Sequence, residues 1–273
     1  MERTVLITGC SSGIGRVTAR TFLEEGWTTY ATARDEADVA DLADEGCETA
    51  ELDVTDDEQV EAVVEHVVDQ QGRIDCLVNN AGYGQHGPAE DVPSDLFARQ
   101  LEVNTVGPHR LTRAVLPHMR AREDGTIVNV SSVAGRIAAP GMSAYTASKF
   151  ALEGYSDALR NEVARFGVDV SLVEPGPVET SFRDRAESEI DGLSRTEAYG
   201  WLYDMQEDAS LLSGQSSPFA STPEEVANTI LEAGVSTNPD PRYVVGGFSK
   251  ALLYARFVPD RLRDRLLSLA GKL

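Results

Sequence analysis

Tyr145 and Lys149, in the run Tyr145-Thr146-Ala147-Ser148-Lys149, carry the sharpest chemistry in the chain. In a helix, residues four apart share a face, so the lysine ammonium stands near the phenol. A free tyrosine titrates near pH 10, about three units too high for a base at neutral pH. Lowering it that far takes about 4 kcal/mol, to which a nearby cation contributes in a partly desolvated site. Such a phenol can give a proton to a carbonyl oxygen or take one from an alcohol. Ser131-Ser132 lies just upstream, with Ser132 thirteen residues before Tyr145. A serine hydroxyl there could hydrogen-bond the oxygen that the tyrosine protonates. A Tyr-x-x-x-Lys spacing by itself occurs in many helices and needs corroboration.

Corroboration comes from the N-terminal end, where Thr8-Gly9-Cys10-Ser11-Ser12-Gly13-Ile14-Gly15 follows a short apolar run. Gly9 permits a tight turn, Gly13 lets backbone N–H groups approach a pyrophosphate, and Gly15 lets a helix pack close to a sheet. The helix that follows presents its positive end to phosphate. Between a first strand and a first helix, such a loop points to a nicotinamide dinucleotide. The oxidised ring would add a second positive charge near Tyr145. An NAD-selective site usually ends its second strand with an acid on the ribose 2′-hydroxyl. Here the strand ends Ala31-Thr32-Ala33-Arg34, offering a guanidinium to a 2′-phosphate, although Asp35 and Glu36 follow closely. The expected cofactor is NADP(H), with NAD(H) as the alternative.

The elements that position these residues alternate. Strands are expected at 4–8, 27–33, 49–52, 74–79, 126–131 and 168–173, with a last short one at 242–245. Helices are expected at 13–25, after 33 through Asp44, from a capping box Thr55-Asp56-Asp57-Glu58 to Gln71, at 94–121 and at 143–166. Continuous apolar strands alternating with helices demand a parallel sheet covered on both faces, a doubly wound α/β fold of Rossmann type in one domain over 1–273. After Pro175 the rhythm breaks. Residues 181–221 mix polar residues with Phe182, Tyr199, Trp201, Tyr203 and Phe219 and read as a substrate-covering lid. Thr222-Pro223-Glu224-Glu225 restarts a helix, and residues 247–273 form a helical extension broken at Pro259.

Composition narrows the class. The net charge of −21 repels nucleic-acid phosphate, and of 24 basic residues only Lys149, Lys250 and Lys272 are lysine. A dense carboxylate surface with so little lysine fits a salt-accumulating cytoplasm, where screening offsets self-repulsion. Residues 242–273 run against this trend, with seven bases to two acids and several leucines. That tail is expected to pack at the rim of the pocket, with anionic lipid or an acidic neighbouring subunit as alternatives. Cys10, Cys47 and Cys76, and the histidines at 66, 86, 109 and 118, show no disulfide or metal spacing, so no metal is expected. The apolar run starting at residue 4 leaves no room for a leader, and no stretch reaches the roughly 18 apolar residues of a spanning helix. A cytoplasmic enzyme is expected.

Taken together, these motifs resemble the single-domain branch of the short-chain dehydrogenase/reductase family. The resemblance covers most of residues 3–180 and rests on Thr8-Gly9-x-x-x-Gly13-x-Gly15, Asp53-Val54, Asn79-Asn80-Ala81-Gly82, Asn104, Ser132, Tyr145-x-x-x-Lys149 and Pro175-Gly176-Pro177-Val178-Glu179-Thr180. It implies that Asp53 binds the adenine amine and Val54 its edge, while Asn80 and Ala81, with Gly82, line the ribose side. Asn104 would hold a water that joins Lys149 to solvent. Lys149 would also bind the nicotinamide ribose, and Pro175, Gly176, Val178 and Thr180 would frame the nicotinamide. Ser11, Ser12 and Ile14 belong to the phosphate loop, and Ser132, Tyr145 and Lys149 would be catalytic. The family typically transfers the pro-S hydride without a metal and assembles as homodimers or homotetramers through two long helices. The substrate expected is a ketone or aldehyde and its alcohol, small to mid-sized and apolar, as in the steroid- and retinol-dehydrogenase-like members. A 3-oxoacyl-carrier reductase of the same family is the near alternative, and a catalytically silent NADP(H) sensor the distant one.

Overall fold

The computed structural model describes residues 3–180, 182–205 and 220–270. Seven strands, β1 (Thr4–Thr8), β2 (Thr28–Ala33), β3 (Glu48–Glu51), β4 (Cys76–Asn79), β5 (Gly125–Val130), β6 (Val168–Pro175) and β7 (Arg242–Val245), form one sheet in the order β3-β2-β1-β4-β5-β6-β7. Every neighbouring pair is parallel. The central strands β1, β4 and β5 are buried along their whole length, which explains their mostly apolar character, and the buried Asn79 and Asn129 are paired with each other at 2.8 Å. Helices cover both faces. On one, α1 (Gly13–Glu24) packs against the later helix Pro223–Val235 around Phe22, Val226 and Ile230. On the other, α3 (Asp57–Gln71), α5 (Gly107–Arg122) and α6 (Ser143–Val163) bury Val64, Leu111, Met119 and Leu159. Each such side chain contributes about 1.5–3 kcal/mol of burial. The winding reverses between β1 and β4, so a crevice opens there beyond the carboxyl ends of the strands.

Several expected boundaries move for local reasons. After β2 the chain makes a 3₁₀ turn, Glu36–Val39, before α2 (Ala40–Glu45). Asp56, not Thr55, caps α3, its carboxylate accepting from the N–H groups of Glu58 and Gln59. The single helix expected over 94–121 is two helices, α4 (Ser94–Leu101) and α5, joined by a π-helical turn, Glu102–Val106, that contains Asn104. Hydrophobic periodicity does not register one extra residue per turn, and such turns occur often at functional sites. β6 runs on to Pro175, carrying the strand up to the crevice.

Within the expected lid, the described part is helical: α7 (Phe182–Asp191), a 3₁₀ turn (Glu197–Tyr199) and α8 (200–205). Asp91 anchors it, accepting from Thr196 N (3.1 Å), Thr196 Oγ1 (2.5 Å) and Tyr203 OH (2.6 Å). Residues 206–219 of that expectation lie outside the described residues. Helix α9 (Pro223–Val235) opens with the expected capping box between Thr222 and Glu225. The C-terminal extension holds α10 (Gly247–Leu253), a 3₁₀ turn (Tyr254–Phe257) and α11 (Asp260–Ala270). It meets the cleft rim through Phe248 and Leu252, whereas Tyr254 and Phe257 are exposed. Among the described residues no helix is long and apolar enough to cross a membrane.

Candidate active site

The crevice is a cleft of about 1180 Å³ running from the glycine-rich loop to Tyr145. At the loop, Gly9 has φ +75°, and a Cβ there would stand 2.8 Å from the Ala81 Cα. A Cβ on Gly15 would overlap the Gly9 carbonyl oxygen and the Asn80 side chain. The Asn80 amide donates to the carbonyls of Thr8 (2.9 Å) and Gly9 (3.0 Å), and the Thr8 hydroxyl accepts from Asn80 N and Ala81 N. Backbone therefore approaches backbone where glycine alone fits. Ser12, the N-cap of α1, makes no side-chain cap bond, and the first turn holds no acid. The positive helix end is thus not neutralised from within, which suits a diphosphate. Ser11, Ser12, Gly13 and Ile14 line the cleft here, while Gly15 is buried behind them. Thr180 closes over the loop, 3.2 Å from where a Gly13 Cβ would be.

Further along, Ala33, Arg34, Asp53 and Val54 line the cleft. Asp53 is fixed by Thr55, whose N–H (2.9 Å) and hydroxyl (2.7 Å) donate to its Oδ1. The acids after Arg34 have other work: Asp35 accepts from Ala37 N, and Glu36 from the Thr49 hydroxyl. Neither lines the cleft, and Arg34 does.

At the chemical end, the Tyr145 ring lies between His86 (6.1 Å between centroids) and Phe182 (5.7 Å). The Lys149 Nζ stands 5.9 Å from the centre of the Tyr145 ring and donates to the Val130 carbonyl at 2.8 Å. Ser132 caps the turn Val133–Gly135, its hydroxyl accepting from Ala134 N (3.1 Å) and donating to the Pro175 carbonyl (3.4 Å). The expected depression of the phenol by the ammonium is not what the chain's own groups produce. Burial pushes the Tyr145 phenol up, and the hydrogen bond with Ser132 draws it part of the way back. Burial also brings Lys149 down to about 8, against the opposing pull of Glu153. Desolvation outweighs pairing because the ammonium is tied to Val130 rather than to the phenolic oxygen.

Asn80, Ala81, Gly82, Pro175, Gly176 and Val178 also line the cleft. Gly176 faces α10 so closely that a Cβ would overlap the Ser249 hydroxyl. Asn104 does not line it. Its amide nitrogen donates to the Tyr83 carbonyl (2.9 Å) and the Ser148 hydroxyl (3.1 Å), and its oxygen accepts from Tyr83 N. That side chain clamps the loop after β4 to α6 and is not free to hold a water in the cleft. His86 and Tyr83 also line the cleft and were not singled out from sequence. The available signal was position: both leave β4 at the edge where ligands bind, just past Asn80-Ala81-Gly82.

Residues 3–191 match the family model described as short chain dehydrogenase. The chain belongs to the short chain dehydrogenase family. It is 35% identical to the oxidoreductase YbbO of Escherichia coli K12 over 98% of this chain and 94% of that protein. It is 39% identical to human 17-beta-hydroxysteroid dehydrogenase type 1 over 89% of this chain and 77% of that protein. A solved short chain dehydrogenase from Burkholderia cenocepacia, in complex with NADP, superposes with a TM-score of 0.77 at 25% identity, covering 97% of this chain and 98% of that one. This short chain dehydrogenase is therefore an oxidoreductase acting on CH–OH donors, and its fold is the Rossmann-type doubly wound sheet.

Proposed function

We propose that the enzyme interconverts a ketone or aldehyde and its alcohol on a small to mid-sized apolar substrate, with NADP(H) preferred over NAD(H). The observation that carries this reading is the convergence of Ser132, Tyr145 and Lys149 at one end of a cleft whose other end holds Arg34. Phe182 packs on Tyr145, and Ile190, Met205, Phe248 and Leu252 add apolar surface to the cleft, with His86 and Arg185 among its polar lining. That lining suits an apolar carbon skeleton.

The nicotinamide supplies the hydride in reduction and accepts it in oxidation. In reduction, the Ser132 hydroxyl donates to the substrate oxygen and orients it. The Tyr145 phenol then gives its proton to that oxygen as negative charge builds there. Lys149 holds the ribose hydroxyls, its ammonium anchored on the Val130 carbonyl 5.9 Å from the centre of the Tyr145 ring. The glycine-rich loop and the start of α1 hold the diphosphate, Asp53 and Val54 the adenine, and Arg34 the 2′-phosphate. Asn80, Ala81 and Gly82 border the ribose, and Pro175, Gly176, Val178 and Thr180 frame the nicotinamide. Lidding by α7 and α8 excludes water from Tyr145. NADP(H) is also favoured by the NADP-bound Burkholderia relative.

The test is a panel of apolar ketones and aldehydes assayed with NADPH and NADH, alongside Tyr145→Phe. The variant is expected to lose turnover and keep NADPH binding. Retention of most of the wild-type rate by Tyr145→Phe overturns the assignment.

A further inference from the structure

Glu153 continues the spacing of Tyr145 and Lys149 along α6, one turn beyond the lysine and outside the cleft. It is buried, 5% exposed, and faces a second buried carboxylate, Glu174 on β6, which is 0% exposed. One Arg242 nitrogen, Nε, serves both, 3.0 Å from Glu153 Oε2 and 3.1 Å from Glu174 Oε1. Arg136 donates to that same Glu174 oxygen at 2.7 Å, and the Arg242 Nη2 goes on to Asp157 at 2.6 Å. Glu174 Oε2 is left buried without a hydrogen bond, and Glu153 Oε1 has no partner closer than a loose contact with the Ser131 hydroxyl. Ion pairs built for stability alone leave few oxygens unsatisfied, because each one costs desolvation energy.

The geometry around Gly135 tells where the Glu153 charge acts. A Cβ on that glycine would lie 2.8 Å from Ser131 Oγ, 3.0 Å from Glu153 Cγ and 3.2 Å from the Lys149 carbonyl oxygen. Ser131 is flanked by Val130, whose carbonyl holds the Lys149 ammonium, and by Ser132. The Glu153 side chain is therefore packed beside the strand end and helix turn that carry the acid/base machinery.

We propose that Glu153 is a positioning residue that sets the protonation of the Tyr145–Lys149 pair from behind, its carboxylate holding protons on the pair. The inference rests on the acid/base roles proposed above for Tyr145 and Lys149. The groups around Glu153 are Lys149 and Asp157 on its own helix, Ser131 after β5, Arg136, Glu174 on β6 and Arg242 on β7. The pair itself also faces Ser132 and His86. Asp157 is further tied to Arg160 at 2.7 Å. A second cavity, of about 620 Å³, is lined by Arg136 and Arg242 together with Lys250, Arg256, Glu232 and Asp240. Through it, solvent and salt reach the guanidiniums that balance the two carboxylates. Glu153 opposes the burial that brings Lys149 down, and it is itself raised by burial and by Glu174, with Ser131 and Arg242 opposing.

A buried negative charge makes each proton loss from the pair harder, so removing it moves both losses to lower pH. At about 1.5 Å per residue, Lys149 lies about 6 Å and Tyr145 about 12 Å from Glu153 along the helix axis. A unit charge at that range, at an effective dielectric constant near 20, moves a titration by about one pH unit or more. Glu153→Gln is therefore expected to shift the rising limb of alcohol oxidation down by about one unit. Glu153→Met, which asks for no hydrogen bond, is expected to shift it likewise and covers the case in which the amide disturbs folding. Asp157→Asn breaks an ion pair to the same Arg242 and should leave the limb in place. An independent readout is the ultraviolet titration of the tyrosinate in the protein without cofactor, with the Tyr145 signal isolated by difference against Tyr145→Phe. It should move the same way. An active Glu153→Gln enzyme with an unmoved limb and unmoved tyrosinate titration overturns this inference and leaves the acid/base assignment standing. Full turnover by Tyr145→Phe would instead overturn that assignment.

Discussion

Replacing Lys149 by Met should make the protein without cofactor more stable at neutral pH while abolishing turnover. Burial brings the lysine from 10.5 to about 8. Between those values the unfolded chain binds a proton that the folded chain has shed, so the folded protein gains stability as pH rises through this window. Below pH 8 the penalty is complete, about 3 kcal/mol at 1.36 kcal/mol per unit. Methionine removes it but also removes the hydrogen bond to the Val130 carbonyl, costing about 1–2 kcal/mol. The net gain at pH 7 is then about 1–2 kcal/mol, a midpoint rise of about 3–6 °C for a chain of this size. Above pH 8 the gain shrinks, and near pH 10.5 the lost hydrogen bond makes the variant the less stable of the two. The assay is thermal or urea melting of both proteins in parallel from pH 6 to 10.5. A difference that does not change with pH, or a variant less stable at pH 7, refutes the reasoning. The expected pattern is that of a group kept for function at a cost in stability.

Arg34→Ala should weaken NADPH binding roughly ten- to hundred-fold and NADH binding much less, because a charge-assisted contact to the 2′-phosphate contributes about 1.5–3 kcal/mol. Tighter wild-type binding of NADH than NADPH at matched ionic strength would reverse the cofactor preference. Melting in a potassium chloride series should show a midpoint that climbs from 0.1 to 2 M. Over that range the Debye length falls from about 10 Å to under 3 Å, which screens the self-repulsion of a chain of net charge −21. Surface pairs such as Arg20 with Glu45 weaken under the same conditions, so a flat profile would mark the acidic surface as a solubility device. Light scattering on the same samples should give the mass of a dimer or tetramer, and a monomer at all salt concentrations would remove the proposed assembly.

Much of the molecule could be read before any fold was known. Local patterns determined the alternation of strands and helices, because a buried parallel strand must be apolar on both faces and a covering helix must be amphipathic. Gly9, Gly13 and Gly15 marked the tight loop proposed to hold the diphosphate, because backbone can approach backbone only where a Cβ is missing. Tyr145 and Lys149 declared themselves because helical spacing alone brings i and i+4 together. Other features depended on residues far apart in sequence. The π turn at Asn104 and the spending of its side chain on Tyr83 and Ser148 depend on where the loop after β4 meets α6. His86 and Phe182 reach Tyr145 from segments separated from it by tens of residues. The protonation of Tyr145 and Lys149 was decided by burial, and Glu153 became a partner of Glu174 and Arg242 when β6 and β7 paired beside α6. Spacing along one helix is a local property, whereas desolvation and cross-element contact exist only once the chain has packed.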